Sequence, residues 1–355
     1  MNPDRLAAYY DLSSSHGPLH AQAVADTGRC YLTGLPLPPY QSFPSASFRT
    51  AVAEETKGRK TVVRDPRDHP ASDRSAAWQR LCSELDAWQR LSADQQLKVA
   101  TVLGHLGFWA VLARLPLPER ASTQEAVRLA HRRYVARRMV FGGGPEVTDQ
   151  LRGLLRVQAE DESLPAPMRL GAAVNLVVDH ARSADSPAAL AHWQSVAERL
   201  VERTPRGAYS DILLSAYWRG VSFVPFHRGA HDRVREMLDR SEHLARAALR
   251  AAGPGRRLLA QENHRLVLMT RARAAQARGR RSETEHYLRA CVRVDPQDPV
   301  SHVYLADFLV LTGRRDDARA SYRSAAALGP PHTAYALSQA TNCRRDQVTS
   351  VPASP

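Results

Sequence analysis

Lysine is nearly missing from this chain of 355 residues. Of its 49 basic residues only Lys57, Lys60 and Lys98 are lysines, so arginine supplies the other 46. A formal charge of +13 ordinarily points to nucleic acid or an anionic surface. Here the arginines are spread over most of the sequence, and so strong a skew also follows from the base composition of a GC-rich coding sequence. A solvated basic surface is therefore favoured over a dedicated nucleic-acid site. Cysteine is scarce as well. Cys30, Cys82, Cys291 and Cys343 form no CxxC pair and no paired metal spacing, which fits a reducing compartment. Long apolar runs are absent: the longest, Val99 to Leu115, is short for a bilayer span and is interrupted by His105 and Arg114. β-branched residues never build alternating strand-like runs, so little sheet is expected. Met1 to Leu12, with Asp4, Arg5 and Asp11, lacks the apolar centre of a secretory signal. What is abundant, Ala, Leu and Arg, forms helices well. The expectation is an all-α cytoplasmic protein that does not cross a membrane.

Along the chain, residues 1–76 stand apart. A short helix fits Pro3 to Asp11, after which Ser13–Ser15, Gly17-Pro18, Gly34, Pro36, Pro38-Pro39 and Pro44 punctuate too often for long elements. This reads as an irregular arm, with a short strand near Cys30–Thr33, whose apolar residues dock on a helical body. A compact helical section follows over 77–145. Trp78, Leu81, Leu85 and Trp88 recur at helical spacing. Ser92 with Gln95 resembles a capping box for one helix running through Val99, Leu103, Trp109 and Leu112. Ser122 with Glu125 starts the next, which Gly142 to Pro145 terminates. From 146 to 343 the pattern is one of successive hairpins, at Glu146–Asp161, Pro165–Ala181, Pro187–Glu202, Ala208–Phe223 and Asp232–Ala252, and 344–355 reads as a flexible tail. Each helical hairpin alone leaves an apolar face uncovered, so stacking on neighbours is required.

Between Arg265 and Pro330 a period becomes visible. Gly279 and Gly313 lie 34 residues apart, and so do Pro296 and Pro330, each Gly between two helical runs and each Pro after the second. The copy from Pro299 puts Ala306, Ala318 and Ala325 where two helices approach most closely, with Leu305, Leu309 and Tyr322 at large positions. The copy from Arg265 keeps Ala272, Leu288 and Cys291, departs at Arg271, Ala275 and Thr284, and carries a capping-box pattern at Ser282 and Glu285 for its second helix. This stretch resembles the tetratricopeptide (TPR) repeat. A degenerate copy surrounds Gly229, with Trp218, Val221 and Leu238 in place and Pro225 predicting a kink. The step from Gly229 to Gly279 is 50 residues, which calls for a longer helix or an insertion near Gly253. Thr333 to Asn342 fits a polar capping helix.

The resemblance implies helical hairpins stacked as a TPR-like α-solenoid, whose first helices line a peptide-binding groove. Carried over position by position, the groove residues are Arg219, Phe223, Phe226 and His227, then Met269, Arg273 and Gln276, then Val303, Asp307 and Val310. Such a set suits a protein or peptide with apolar anchors and some acidic residues. The expected function is a non-catalytic scaffold or accessory subunit, with no cofactor and no metal. The alternative is a nucleic-acid-binding or regulatory helical-repeat protein, using Arg128, Arg132, Arg133, Arg137 and Arg138 with Tyr134 interleaved for base stacking. An enzyme with a site between arm and body is the third reading. His227 and His231 straddle Gly229, which argues against a zinc pair on one helix face, and His16 with His20 has no third ligand nearby. Gly58 to Thr61 ends like a phosphate loop but has Ala53 where the earlier Gly belongs.

Overall fold

The computed structural model describes residues 65–68, 71, 76–105, 108–116, 124–141, 145–183, 186–205, 207, 209–296, 298–327 and 333–348. Outside them lie the expected arm up to residue 64 with its strand and docking residues, His16 and His20, the Gly58–Thr61 stretch, Ser122, the Gly142–Gly144 breaker, Pro330 and the tail after Val348. Among the described residues helices are the only regular elements, so the chain is all-α there.

After a 3₁₀ turn at Pro66–Asp68, helix α1 spans Ala76–Asp86, and a second 3₁₀ turn, Trp88–Arg90, leads to α2 at Ala93–His105. The capping box forms: Gln95 N–H donates to Ser92 Oγ at 3.3 Å and Ser92 N–H to Gln95 Oε1 at 3.0 Å. The single helix expected from Ser92 through Leu112 is instead two. It stops at His105 and resumes as α3, Trp109–Arg114, and the Phe108 N–H reaches back to the Leu103 carbonyl at 2.8 Å. From Val99 on the run is apolar around nearly its whole circumference, so its periodicity carries no sign of a break. Folding it in two lets both pieces pack on α4, Gln124–Phe141.

The chain continues through α5 (Pro145–Glu160), α6 (Ala166–Ser183), α7 (Pro187–Arg203), α8 (Asp211–Val221), α9 (Phe223–His227) and α10 (His231–Ala251), so each span expected as a hairpin between Glu146 and Ala252 holds essentially one helix and the pairing is between spans. It closes with α11 (Pro254–Ala277), α12 (Arg281–Val294), α13 (Pro299–Leu311), α14 (Arg315–Ala327) and α15 (Thr333–Val348). Local chemistry sets the ends. Ser186 and Ser210 accept the N–H groups of Ala189 and Leu213 at 3.2 and 3.3 Å, and Asp298 accepts those of Val300 and Ser301 at 3.3 and 3.0 Å. Near Pro225 the helix breaks: α8 ends at Val221 and α9 begins after Ser222. Gly229, Gly279 and Gly313, with φ of 69°, 67° and 80°, turn the chain into α10, α12 and α14, a conformation that an L side chain resists. The 50-residue step is absorbed by length, since α10 has 21 residues and α11 has 24.

Two expectations about ends fail. No capping box forms at Ser282 and Glu285, because α12 already begins at Arg281, and Arg280 precedes it without a side-chain cap. Glu285 is drawn away to Arg289 at 2.8 Å and Arg314 at 2.5 Å. Helix α15 also runs on to Val348, beyond Asn342 and into the segment expected as tail.

Helices cover one another's apolar faces. From α4 to α7 successive helices pack, α6 carries α8, α8 packs on α10, and from α10 to α15 each contacts its successor. One hydrophobic cluster joins α5 to α10 around Leu155, Leu170, Leu176, Trp193, Tyr217 and Val221. Another joins α11 to α15 around Leu268, Leu288, Phe308, Leu309 and Tyr322. Within it Ala272, Cys291, Ala306, Ala318 and Ala325 are no more than 2% exposed, small side chains that let helix axes approach. A fully buried Leu or Phe contributes about 1.5–3 kcal/mol over its exposed state, so a hairpin stripped of its neighbour forfeits several such contributions.

Candidate binding surface

Tyr304, Asp307 and Leu311 follow one another at three- and four-residue steps on α13, so they share one face of the helix. Tyr304 is 38% and Leu311 71% exposed. On one side of this face α11 contributes Arg273, whose guanidinium carbon lies 5.6 Å from the centroid of the Tyr304 ring while Nη2 donates to the Tyr304 hydroxyl at 3.3 Å. On the other side α15 contributes Tyr335, 44% exposed. Asp307 is the hub: its Oδ1 accepts from the Tyr322 hydroxyl at 2.5 Å and from the Tyr335 hydroxyl at 3.0 Å. Burial, and then the Asp307 carboxylate, raise the pKa of both tyrosines, which keeps them protonated as donors. The outcome is a strip across three helices in which two tyrosines, an arginine and a leucine face solvent and a carboxylate is held in place.

The residues expected to line a groove divide around this strip. Arg273, Gln276 and His227 are exposed, and Arg219, Phe223, Phe226, Asp307 and Val310 are half-buried. Met269 and Val303 are each 6% exposed and belong to the hydrophobic cluster of α11 to α15, so they support the surface from beneath. Phe226 packs edge-on against His227 with ring centroids 5.8 Å apart. Tyr304 and Tyr335 were not expected. Tyr304 lies one position past Val303, and its spacing to Asp307 and Leu311 is the signal that places it on the outer face.

On α4 the arginines do not form one solvated face. Arg128 is exposed, with Nη2 3.5 Å from Met168 Sδ, and Arg137 donates to Gln150 Oε1 at 3.1 Å. Arg132 and Arg133 are half-buried. Burial, and then the neighbouring Arg128, pull the Arg132 guanidinium down to about 10, and burial followed by Arg137 lowers Arg133. Burial and then Arg132 bring His131 down to about 4. Tyr134 packs against the hydrophobic cluster of α5 to α10, and so is not presented for stacking on a base. The Arg138 side chain lies outside the described residues. His227 and His231 end α9 and begin α10 on either side of Gly229. Among the described residues no group of three or more His, Cys, Asp and Glu is arranged to hold a metal, and no helix is long and apolar enough to cross a membrane. No family model matches the chain, and comparison with curated proteins yields no match.

Proposed function

We propose that the helices from Asp211 onward form a TPR-like array and that the protein is a non-catalytic scaffold or accessory subunit. In this reading the strip on α11, α13 and α15 binds an extended protein or peptide segment. The observation that carries it is the exposed set of Arg273, Tyr304, Leu311 and Tyr335 resting on rigidly held supports. Aromatic and arginine side chains of this kind dominate recognition surfaces. Asp307 is already engaged by two hydroxyls, so Arg273 is the charge left for a partner, and it suits an acidic residue beside apolar anchors. Nucleic-acid binding through α4 has less support, since Tyr134 turns inward and two of its arginines are half-buried.

The test is affinity capture with the full chain, its Arg273→Glu variant and its Tyr304→Ala variant, followed by mass spectrometry. Both side chains are exposed, so melting temperatures are expected to stay near the parent's. A specific protein recovered by the parent is expected to be lost from both variants. Undiminished recovery with either variant, or recovery of nucleic acid that falls steeply with salt, overturns the reading.

A further inference from the structure

Away from that strip, a cavity of about 330 Å³ opens between α10, α11 and the start of α12. Its volume falls in the range of small-molecule sites, about 300–1,000 Å³. Two kinds of surface line it. Val234, Leu238, Ala274, Ala275 and the Tyr287 ring form an apolar wall, and Arg235, Arg278, Arg280 and His231 stand with it as a basic part. Arg271 also lines the cavity. It is 8% exposed, lies 2.6 Å from Glu242, pairs with Asp239 and sits 5.5 Å from the Tyr287 ring centroid. Its charge is therefore spent within the fold, and it braces the Tyr287 ring against the cavity.

The arginines of the basic part are differently placed. Arg280 pairs with Glu283 at 2.7 Å and Arg235 with Asp232 at 3.5 Å, three residues apart in each case and with every partner well exposed. Such surface pairs contribute about 0–1 kcal/mol, so either arginine readily exchanges its carboxylate for a better oxyanion. Arg278, half-buried, makes no side-chain hydrogen bond or ion pair among the described residues. The carboxylates facing the cavity are Asp239 and Glu283, each held by an arginine. The first turns of α10 and α12, which adjoin the cavity through His231, Arg280 and Glu283, carry no side-chain cap. The positive ends of both helix dipoles thus add to the potential of the basic part.

We propose that this cavity binds a small organic phosphate, its apolar or aromatic body against Val234, Leu238 and Tyr287 and its phosphate held by Arg278 and Arg280 with Arg235 beside them. This inference is independent of the peptide-binding reading, because it uses none of the residues on the α11–α13–α15 strip.

Isothermal titration of the full chain with phenyl phosphate, inorganic phosphate and phenol tests it. Phenyl phosphate is expected to bind, and inorganic phosphate and phenol each to bind at least about tenfold more weakly, because each reaches only half of the site. The Arg278→Ala/Arg280→Ala variant is expected to melt like the parent and to lose affinity for phenyl phosphate by about tenfold or more, as removal of charge-assisted hydrogen bonds does. Failure of phenyl phosphate to bind, equal affinity for inorganic phosphate, or affinity unchanged in the variant overturns the proposal. Should the variant melt well below the parent, Arg278→Lys serves instead, with binding weakened but retained as the supporting result and unchanged binding as the opposing one.

Discussion

Gly220 lies where α8 packs closely on α6, and substituting it measures how tightly the two helices fit. A Cβ built there would lie 2.7 Å from Val174 Cγ1, 3.4 Å from Val178 Cγ2 and 3.8 Å from the Val174 carbonyl. Val174 is 5% exposed, and a helical valine is held to essentially one χ1 rotamer, so its methyl group cannot swing aside. Gly220→Ala therefore carries two opposed contributions. Overpacking costs about 1–3 kcal/mol, and the better helix propensity of alanine returns about 1 kcal/mol. The net expectation is a loss of roughly 0–2 kcal/mol. Val174→Ala alone costs about 2 kcal/mol through lost burial and cavity formation. In that background the clash is absent, and Gly220→Ala is expected to stabilise the protein by about 1 kcal/mol. Equilibrium urea unfolding of the parent, both single variants and the double variant, followed by far-UV circular dichroism, yields the coupling energy. A coupling of about 1–3 kcal/mol is expected. Additivity within about 0.5 kcal/mol would mean that the helices part without cost, and the close-approach argument would fall.

Asp307→Ala leaves the Tyr322 hydroxyl without its acceptor beneath the exposed strip, and a loss of about 1–3 kcal/mol in thermal unfolding is expected; Asp307→Asn, which keeps a carbonyl oxygen, should recover most of it. Stability is also expected to fall on acidification. Burial holds His131 down to about 4 and lowers His264 from the ordinary 6.5, so between those limits the unfolded chain binds more protons than the folded one. Stability is full above the ordinary value and declines as pH drops toward the folded one, with His131 alone accounting for up to about 2 kcal/mol between about pH 7 and about pH 5. Urea midpoints at the two pH values check this, and His131→Gln should flatten the slope. Ser215→Ala strips Asn263 Nδ2 of its acceptor at 3.0 Å and is expected to cost about 1–3 kcal/mol. Adding Asn263→Leu removes the orphaned amide and should restore at least half of the melting temperature lost.

Where the sequence was legible, local chemistry and helical period agreed. Ser92 with Gln95 at a helix start, the glycines at the turns and the break beside Pro225 all act within a few residues of themselves, so their effects can be read without knowing the fold. The failures have a common cause in longer-range contacts or missing contrast. The run through Leu103, Phe108 and Leu112 is apolar on nearly every side, so only its packing on α4 reveals that it is two helices. Ser282 and Glu285 have the spacing of a cap, but Arg314, from the turn between α13 and α14, competes for the carboxylate. The candidate surface shows the same division. Arg273, Gln276 and His227 are exposed at their repeat positions, while Met269 and Val303 turn into the core and Tyr304, the next residue, takes the outer face. Assigning neighbouring positions on α13 to core or surface needs the placement of α14 and α15, which a repeat period does not supply.

The irregular 50-residue step has a structural consequence. Where the neighbouring α12, α13 and α14 have 13 or 14 residues, α10 and α11 have 21 and 24, so each offers more turns at which a neighbour could settle and the register has to be specified. Apolar stripes alone specify register weakly, because a slide exchanges one methyl contact for another. Here polar groups lie buried along α8, α10 and α11. Ser215 Oγ donates to the Ser241 carbonyl at 2.9 Å, Ser241 Oγ donates to the Ser215 carbonyl at 2.8 Å, and Asn263 joins them. Farther along, Arg271 and Glu242 form an ion pair at 2.6 Å with side chains 9% and 10% exposed. A shift of one helix by a turn would separate these partners and leave several buried polar groups unsatisfied, at a cost of about 1–3 kcal/mol each and more for the charges. The polar seam thus specifies the register of α11 against α8 and α10, and α11 carries Arg273 of the strip and Arg271 of the cavity, with Arg278 directly after its last residue. Placement of both candidate sites therefore depends on residues that touch neither ligand, and the seam does its work at the point where the repeat spacing is broken.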